Sequence, residues 1–351
     1  MFSYYWYMSA RGWRRPKMKC FFKLSVVAIC LAVAVPAAAQ KVINFAVPSP
    51  PRAKIVQKFF IPWANKVTAD SAGAIKVEPK TGRTLASPFN VYDRVKADVA
   101  QIGWGMQMFM RRFPRSTVAL LPFEATTAEE ATIALWNLYE KGVTTMEYSE
   151  VKLLALIVMP PTSIHTKSTP IKSLGALKGM KIAAATRTQA GVVRRLGGAP
   201  ISLPLPAMYQ GLNRGMIDGV IMVWTAFMPF KLFEVTKHHY DVPFGATTGM
   251  VFMTKKGYGS LPAAGRRAVD ANSGIKFSPR FGKFMDGLNR GSRRAIGRMP
   301  GHTFEKMPAA EVASWRASMQ GVVEKWKKET VDGAAVLKAY RGELAAIRSK
   351  K

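Results

Sequence analysis

One arginine follows a run of small residues in the segment GMKIAAATRTQAG, residues 179–191. The pattern predicts a short strand over 181–185 and a helix that begins close to Arg187. Where a strand passes into a helix, the first backbone N–H groups of the helix have no partner and can bind an anion. A cation is disfavoured by the helix dipole at this place, which favours a ligand-binding role for Arg187 over a merely solvated one. The segment therefore predicts an anion-binding site.

Aromatic and sulfur-containing side chains occur at the ends of other predicted strands. Side chains of these types line most small-molecule pockets, although a tryptophan at a strand end can also cover a protein core. Besides Arg187, the candidates for a ligand-binding surface are Phe45, Ser49, Trp104, Met106, Met159, Ala183 and Trp224.

The histidines do not form a catalytic or metal-binding pattern. His238 and His239 precede Asp241, but adjacent histidines point in different directions on a helix or a strand, and no H-x-x-x-H spacing accompanies them. His165 is expected to have a structural role. The sequence also has no G-x-S-x-G, Walker or zinc signature. We therefore expect no catalytic residues, no cofactor and no bound metal.

The first 39 residues have the three-part pattern of a secretory signal peptide. Six basic residues precede an apolar stretch over 24–35, and the residues before Gln40 form an A-x-A cleavage sequence. Either Met1 or Met18 could be the start of translation. Cys20 and Cys30 both lie in this leader, so the predicted mature chain has neither a disulfide nor a catalytic thiol. The sequence thus predicts a protein that is exported to the periplasm.

The charge of the chain is strongly positive. The full sequence has 52 basic and 21 acidic residues, and the predicted mature chain keeps 46 of the basic ones, for a net charge of +25. Such a field attracts anionic solutes, acidic surfaces or nucleic acid. The basic residues are spread thinly and no nucleic-acid recognition motif accompanies them, so we do not expect a nucleic-acid partner.

Apolar periodicity predicts two successive α/β units. We expect strands over 41–47, 99–104, 151–158 and 181–185, and a capping box over 127–130 at the start of a helix. One long helix is expected from 261 to about 299, with Gly274 and Gly282 as its weak points. Ligands of open α/β sheets bind at the carboxyl ends of strands, so residues 103–106 and 183–187 are expected to face each other across a cleft.

These elements predict a two-lobe α/β fold of the periplasmic-binding-protein type, with a ligand cleft between the lobes and a long connecting helix. We assign 40–165 to the first lobe, with a return segment at about 250–285. We assign 166–249 to the second lobe, together with C-terminal helices at about 286–351.

Several segments resemble the binding proteins of TRAP (tripartite ATP-independent periplasmic) transporters. The main one is LKGMKIAAATRTQAGVVRRLGGAPISLPLPAMYQGLNRGMIDGVIMVW, residues 177–224, and the others are RVKADVAQIGWG (94–105), FPRSTVALLPF (113–123), HTKSTPIKSLGALKG (165–179) and YGSLPAAGRRAVDANSG (258–274). They follow the family order and cover nearly all of the predicted mature chain. The resemblance implies a receptor without catalytic activity that closes on a small organic acid and delivers it to TRAP permease subunits in the membrane.

The sequence departs from this family at the predicted ligand site. The family's strand usually carries an arginine that binds the ligand carboxylate, and here Ala183 occupies that position. The resemblance therefore leaves two possibilities, in which either Arg187 supplies the charge or the bound group is neutral. Two other functions stay open as well, namely a degenerate paralogue that acts as a sensor or partner-binding protein, and an exported α/β enzyme. The protein is expected to be a monomer.

Overall fold

The computed structural model describes residues 40–110, 112–306 and 308–350. The predicted signal peptide over 1–39 lies outside these ranges, so it stays a prediction.

The strands alternate with helices along most of the chain. In chain order they are β1 (Lys41–Val47), β2 (Ile75–Thr81), β3 (Ile102–Met106), β4 (Val151–Val158), β5 (Ser163–Thr166), β6 (Lys181–Ala183), β7 (Ala199–Ile201), β8 (Gly219–Met222), β9 (His238–Asp241), β10 (Thr248–Thr254) and β11 (Thr303–Lys306). The predicted strands over 41–47 and 151–158 are confirmed, because a long apolar run and clean alternation are strong local signals.

The helices vary from four to nineteen residues. In chain order they are α1 (Ile61–Asp70), α2 (Val91–Lys96), α3 (Ala128–Glu140), α4 (Arg187–Arg195), α5 (Leu205–Asn213), α6 (Leu232–Val235), α7 (Lys255–Gly259), α8 (Ala263–Ala271), α9 (Ser278–Ile296), α10 (Val312–Ser318), α11 (Gln320–Glu329) and α12 (Gly333–Arg348). The predicted capping box at the start of α3 is confirmed, with Thr127 and Glu130 as its two members.

The strands form two separate sheets, one in each lobe. The first sheet has the order β2-β1-β3-β10-β4 and the second has the order β11-β9-β5-β8-β6-β7. In the first, β10 is antiparallel to its neighbours β3 and β4. In the second, β5 is antiparallel to β8 and β9. Apolar side chains cover both faces of each sheet, as expected of sheets flanked by helices.

Two short segments cross between the lobes side by side. One joins β4 to β5 through residues 159–162, and the other joins β9 to β10 through residues 242–247. They are hydrogen-bonded to each other, since Met159 N donates to Thr247 O (2.9 Å) and Thr162 N donates to Gly245 O (2.8 Å). Gly245 has a φ of +79°, and a Cβ there would lie 1.9 Å from Leu120 O. This tight crossing therefore needs a glycine.

The long helix expected over 261–299 is interrupted. The structure divides it into α8, a 3₁₀ turn over Gly274–Lys276, and α9. Gly274 has a φ of +63°, which is not helical, and a Cβ there would lie 2.8 Å from Trp136. Gly282 stays within α9 because its missing side chain lets the backbone of Glu129 approach closely. The prediction of a single helix was wrong at one of its two suspected weak points.

Helix α9 connects the two lobes and α12 returns to the first. Helix α9 packs against α3 in the first lobe and against the 3₁₀ turn Trp224–Ala226 in the second. The sequence analysis assigned α12 to the second lobe, whereas in the structure α12 packs against α3. Two ion pairs bind it there, from Arg341 to Glu124 and from Arg348 to Glu130. No helix within the described ranges is long and apolar enough to cross a membrane.

Candidate ligand-binding cleft

The carboxyl ends of the parallel strands in both sheets border the space between the lobes. Strands β1, β3 and β4 run in one direction in the first sheet, and β6, β8 and β9 run in one direction in the second. The end of β4 leads through four residues to the start of β5, beside the end of β8. The two carboxyl edges are thereby joined, and ligands of α/β sheets bind at such edges.

Three uncharged candidates of the first lobe lie at this edge. Met106 is the last residue of β3, Met159 directly follows β4, and Ser49 follows β1, and all three are half-buried. Two other candidates of this lobe lie deeper. Phe45 is fully buried against Phe60 and Trp63.

Trp104 also lies below the surface of the first lobe. It is 5% exposed and packs against Phe60 and Phe281. Its ring fills the space above Gly249, where a Cβ would lie 2.6 Å from the indole. Trp104 therefore belongs to the core of the first lobe, beneath the carboxyl edge of the sheet.

In the second lobe Ala183 and Trp224 belong to one apolar cluster, which also contains Met222 and Phe227. Ala183 is fully buried there and Trp224 is 2% exposed. The indole Nε1 of Trp224 donates to Asp241 Oδ1 at 3.0 Å. Both residues therefore lie within the second-lobe core beside the edge, in the conformation that the structure describes.

The start of α4 lies at the carboxyl end of β6 and has a capping box. The Thr186 side chain accepts from Gln189 N, and Gln189 Oε1 accepts from Ala185 N at 2.9 Å and from Thr186 N at 3.2 Å. The N–H groups of Arg187 and Thr188, the first two residues of α4, have no partner among the described residues. The Arg187 side chain is exposed and has no hydrogen bond or ion pair there.

The start of α3 has the same type of capping box, and the carboxylate of a residue from another helix also binds there. Asp286 of α9 accepts from Ala128 N at 2.8 Å through Oδ1 and from Glu129 N at 3.0 Å through Oδ2. Ala128 and Glu129 are the first two residues of α3, so they correspond to Arg187 and Thr188 of α4. At α3 a carboxylate therefore accepts from two N–H groups whose counterparts at α4 have no partner among the described residues.

Sequence reasoning did not identify a polar cluster at the end of β9. Asp241 accepts from Ser163 Oγ at 3.2 Å and from Trp224 Nε1 through Oδ1, and from Arg293 Nε at 2.5 Å through Oδ2. The available signal was the spacing of His239 and Asp241, since residues two apart on a strand share a face. The contribution of Arg293 had no local signal, because it comes from α9.

A chain of three histidines lies beside this cluster. His165 Nε2 contacts Met222 O at 3.1 Å, His165 Nδ1 contacts His239 Nδ1 at 3.0 Å, and His239 Nε2 contacts His302 Nδ1 at 2.8 Å. A carbonyl only accepts, so Nε2 of a neutral His165 donates, His239 donates to His165, and His302 donates to His239.

Burial keeps this histidine chain neutral. It lowers the pKa of His165 to about 4, and together with the neighbouring histidines it lowers the pKa of His239 to about 2. In the part of the chain that the structure describes, no group of three or more His, Cys, Asp or Glu side chains is placed to hold a metal ion. His165 and His239 also pack against the rings of Trp224 and Phe227.

A family model and several known proteins match this chain. Residues 48–329 match the model of the bacterial extracellular solute-binding proteins, family 7. A protein of Comamonas testosteroni named outer membrane transporter protein TsaT is 26% identical over 310 residues, which are 86% of this chain and 90% of that protein.

Two solved structures have the same fold and a sequence identity of 29–30% to this chain. A marine metagenome TRAP solute-binding protein from an unidentified microbe, described as specific for aromatic acid ligands and solved with 3-hydroxybenzoate, is 30% identical with a TM-score of 0.82. The match covers 88% of this chain and 99% of that one. A TRAP solute-binding protein of Rhodoferax ferrireducens with copurified benzoate is 29% identical with a TM-score of 0.81, over 87% of this chain and 98% of that one. The predicted two-lobe α/β fold class is confirmed.

Proposed function

The chain belongs to family 7 of the bacterial extracellular solute-binding proteins, as its resemblance to TRAP binding proteins predicted, and we propose that it binds a small aromatic carboxylate at the start of α4. Its family and fold are those of solute receptors that bind small organic acids. The aromatic character of the ligand is a proposal, which the two relatives solved with benzoate and 3-hydroxybenzoate support.

The proposal rests on the N–H groups of Arg187 and Thr188, which have no partner in the part of the chain that the structure describes. At α3 the equivalent pair binds the carboxylate of Asp286. At α4 no acidic residue takes that place among the described residues, and the first residue of the helix is an arginine. Helix N-termini favour anions, and arginine adds a charge-assisted hydrogen bond. A ligand carboxylate would thus take the role that Asp286 has in the other lobe.

The first lobe would bind the ring. Ser49, Met106 and Met159 lie at the opposite carboxyl edge, and methionine side chains adapt well to aromatic surfaces. The other candidates are Phe45 and Trp104 in the first lobe and Ala183 and Trp224 in the second. They lie beneath these edges, and we propose that they shape the floor of the site.

Ligand binding would shift the two lobes toward a closed state. The crossing segments 159–162 and 242–247 are short, and α9 spans both lobes, so a hinge movement there changes the width of the cleft. A ligand that contacts both edges stabilises the closed state by its additional contacts. Closure would also remove water from the carboxylate, which strengthens its pairing with Arg187.

The closed receptor would deliver its ligand to a TRAP-type permease, without chemical change. We also propose cleavage before Gln40 and a periplasmic location. Mass spectrometry of the protein from a periplasmic extract tests the cleavage, and a full-length product in the cytosol would contradict it. Incubation of the protein with benzoate, followed by chromatography, should return the benzoate unchanged. A product that forms with multiple turnovers would instead support an exported enzyme.

The carboxylate site is tested by calorimetry with benzoate and its neutral analogue benzamide. The protein should bind benzoate at least about tenfold more tightly, because benzamide lacks the charge. Arg187→Ala should weaken benzoate binding by about 2 kcal/mol, or roughly 30-fold, since a hydrogen bond to a charged group is lost. The exposure of Arg187 places this loss near the lower end for charged pairs.

Arg194→Ala is the matched control. Arg194 is an exposed arginine at the other end of α4, so its loss changes the net charge equally without touching the site. Equal affinities for benzoate and benzamide, or equal effects of the two substitutions, would contradict the proposal.

A further inference from the structure

Asp241 holds one guanidinium at the carboxyl edge of the second lobe. Its Oδ2 accepts from Arg293 Nε at 2.5 Å, while its Oδ1 accepts from Ser163 and Trp224. The side chain of Arg293 is about one third exposed, and its guanidinium carbon lies 5.0 Å from the centre of the Phe304 ring. The carboxylate and the ring together fix the orientation of the guanidinium.

Arg293 still has unused donors. The contact with Asp241 uses Nε, and Nη1 and Nη2 have no acceptor among the described residues. An arginine held in this manner is preorganised, so a ligand that binds its Nη groups does not have to order a flexible side chain. The exposed Arg187 has no comparable support.

An unpaired acceptor lies one helical turn before Arg293. The Oδ1 of Asn289 is buried and has no hydrogen-bond partner in the described part of the chain. Residues four apart on a helix are neighbours on one face, and both belong to α9. A buried polar atom without a partner is costly, so this oxygen is a reason to look for a donor that arrives with a ligand.

The strands that end nearest to Arg293 and Arg187 run in one direction in the second sheet, so their carboxyl ends lie on the same edge. Strand β9, which ends at Asp241, is three strands from β6, which leads to α4, or about 14 Å at the usual strand spacing. Strand β8, which ends at Met222, lies between β9 and β6.

We propose that Arg293 and Asn289 bind a hydroxyl group of the ligand, on the side of the aromatic ring away from the carboxylate. A hydroxyl accepts one hydrogen bond from an Arg293 Nη–H and donates one to Asn289 Oδ1, so it satisfies both residues. Asp241 positions Arg293 and reduces its attraction for a second carboxylate. This pair therefore selects hydroxylated over unsubstituted aromatic acids. The inference rests on the proposed function and adds a second polar subsite to it.

The test is calorimetry with benzoate, 3-hydroxybenzoate and 4-hydroxybenzoate on the unchanged protein and two variants. The protein should bind one of the hydroxybenzoates about tenfold or more tightly than benzoate, as expected for a hydrogen bond to a charged group. Arg293→Met should abolish this preference and change benzoate affinity less than about twofold, because benzoate has no hydroxyl for Arg293 to bind. Arg294→Met, which removes the next and exposed arginine of α9, should keep the preference.

A double variant controls for a loss of folding that the unpaired Asp241 carboxylate would cause. Arg293→Met leaves Asp241 without its cation, so Arg293→Met is also made together with Asp241→Asn, and benzoate affinity reports that the site is intact. If Arg293→Met keeps the preference for the hydroxybenzoate, or if the unchanged protein binds benzoate and both hydroxybenzoates equally, the inference is overturned. Failure to bind any of the three acids would instead overturn the proposed aromatic ligand, and the inference with it.

Discussion

The starts of α3 and α4 have the same local construction and different occupants. Each begins with a threonine cap, and a glutamate or glutamine three residues later completes the capping box. At α3 the two remaining N–H groups bind Asp286, and Arg348 binds the box residue Glu130. At α4 the remaining N–H groups have no partner within residues 40–110, 112–306 and 308–350. One helix start is thus satisfied from within the protein, and we propose that the other is satisfied by the ligand.

This difference suggests that one helix start stabilises the fold while the other is available for a ligand. The first-lobe helix start is closed by residues distant in sequence, because Asp286 comes from α9 and Arg348 from α12. Closure by the chain itself stabilises the fold permanently. A helix start that is left open at a carboxyl edge costs some stability, and the ligand recovers it on binding.

The largest expected effect is a loss of stability at low pH. Buried histidines of the second lobe cause this loss at a higher pH than a buried glutamate of the first lobe. The pKa of His165 is lowered to about 4 and that of His239 to about 2, both from 6.5. Because the folded pKa values are depressed, the unfolded chain takes up protons first as the pH falls. The stability that neutral histidines provide is complete above pH 6.5 and is lost as the pH falls from there, toward 4 for His165 and toward 2 for His239.

For Glu130 of the first lobe, burial raises the pKa, but hydrogen bonds from Arg348 and Thr126 lower it more, to about 2 from 4.5. Its contribution is present above pH 4.5 and is lost only as the pH falls below that value. Urea unfolding should therefore show a loss on the order of 3 kcal/mol between pH 6.5 and 4.5. His239→Gln should reduce that loss, while His238→Gln should not. A flat profile over this range would contradict the neutral histidine chain.

The next effect tests the closed helix start. Asp286→Ala removes the carboxylate that accepts from Ala128 N and Glu129 N. Two N–H groups at a mostly buried position then lack a partner, so the free energy of unfolding should fall by about 2 kcal/mol. Asp286→Asn keeps one acceptor oxygen and should lose about half as much. Urea unfolding at pH 7 measures both losses. An unchanged midpoint for Asp286→Ala would show that a carboxylate at the start of α3 adds no stability, which would contradict its use as a precedent for ligand binding at α4.

Local signals predicted much of the fold. The capping box of α3, the alternating strand over 41–47 and the apolar strand over 151–158 depend on neighbouring residues alone. The break between α8 and α9 was only suspected, because the clash that requires Gly274 involves Trp136. The packing of α12 on the first lobe likewise depends on ion pairs with residues more than 200 positions away.

The candidate site was harder to predict for the same reason. Arg187 was identified because the helix start that exposes it is a local pattern. The burial of Trp104 depends on the space above Gly249, and that of Trp224 depends on a hydrogen bond to Asp241. The orientation of Arg293 depends on Asp241, which is 52 residues away. A single sequence contains no local sign of these contacts.

The smallest effect is also the most direct test of the central claim, that backbone N–H groups at the start of α4 bind the ligand carboxylate. Thr188→Pro removes the N–H of the second helical residue, a position where α1, α5 and α9 already carry a proline, so the helix should tolerate it. Thr188→Ala is the control, because it removes the same side chain and keeps the N–H. By calorimetry with benzoate, Thr188→Pro should bind about 1 kcal/mol more weakly than Thr188→Ala, or roughly fivefold. Equal affinity of the two variants would contradict the claim.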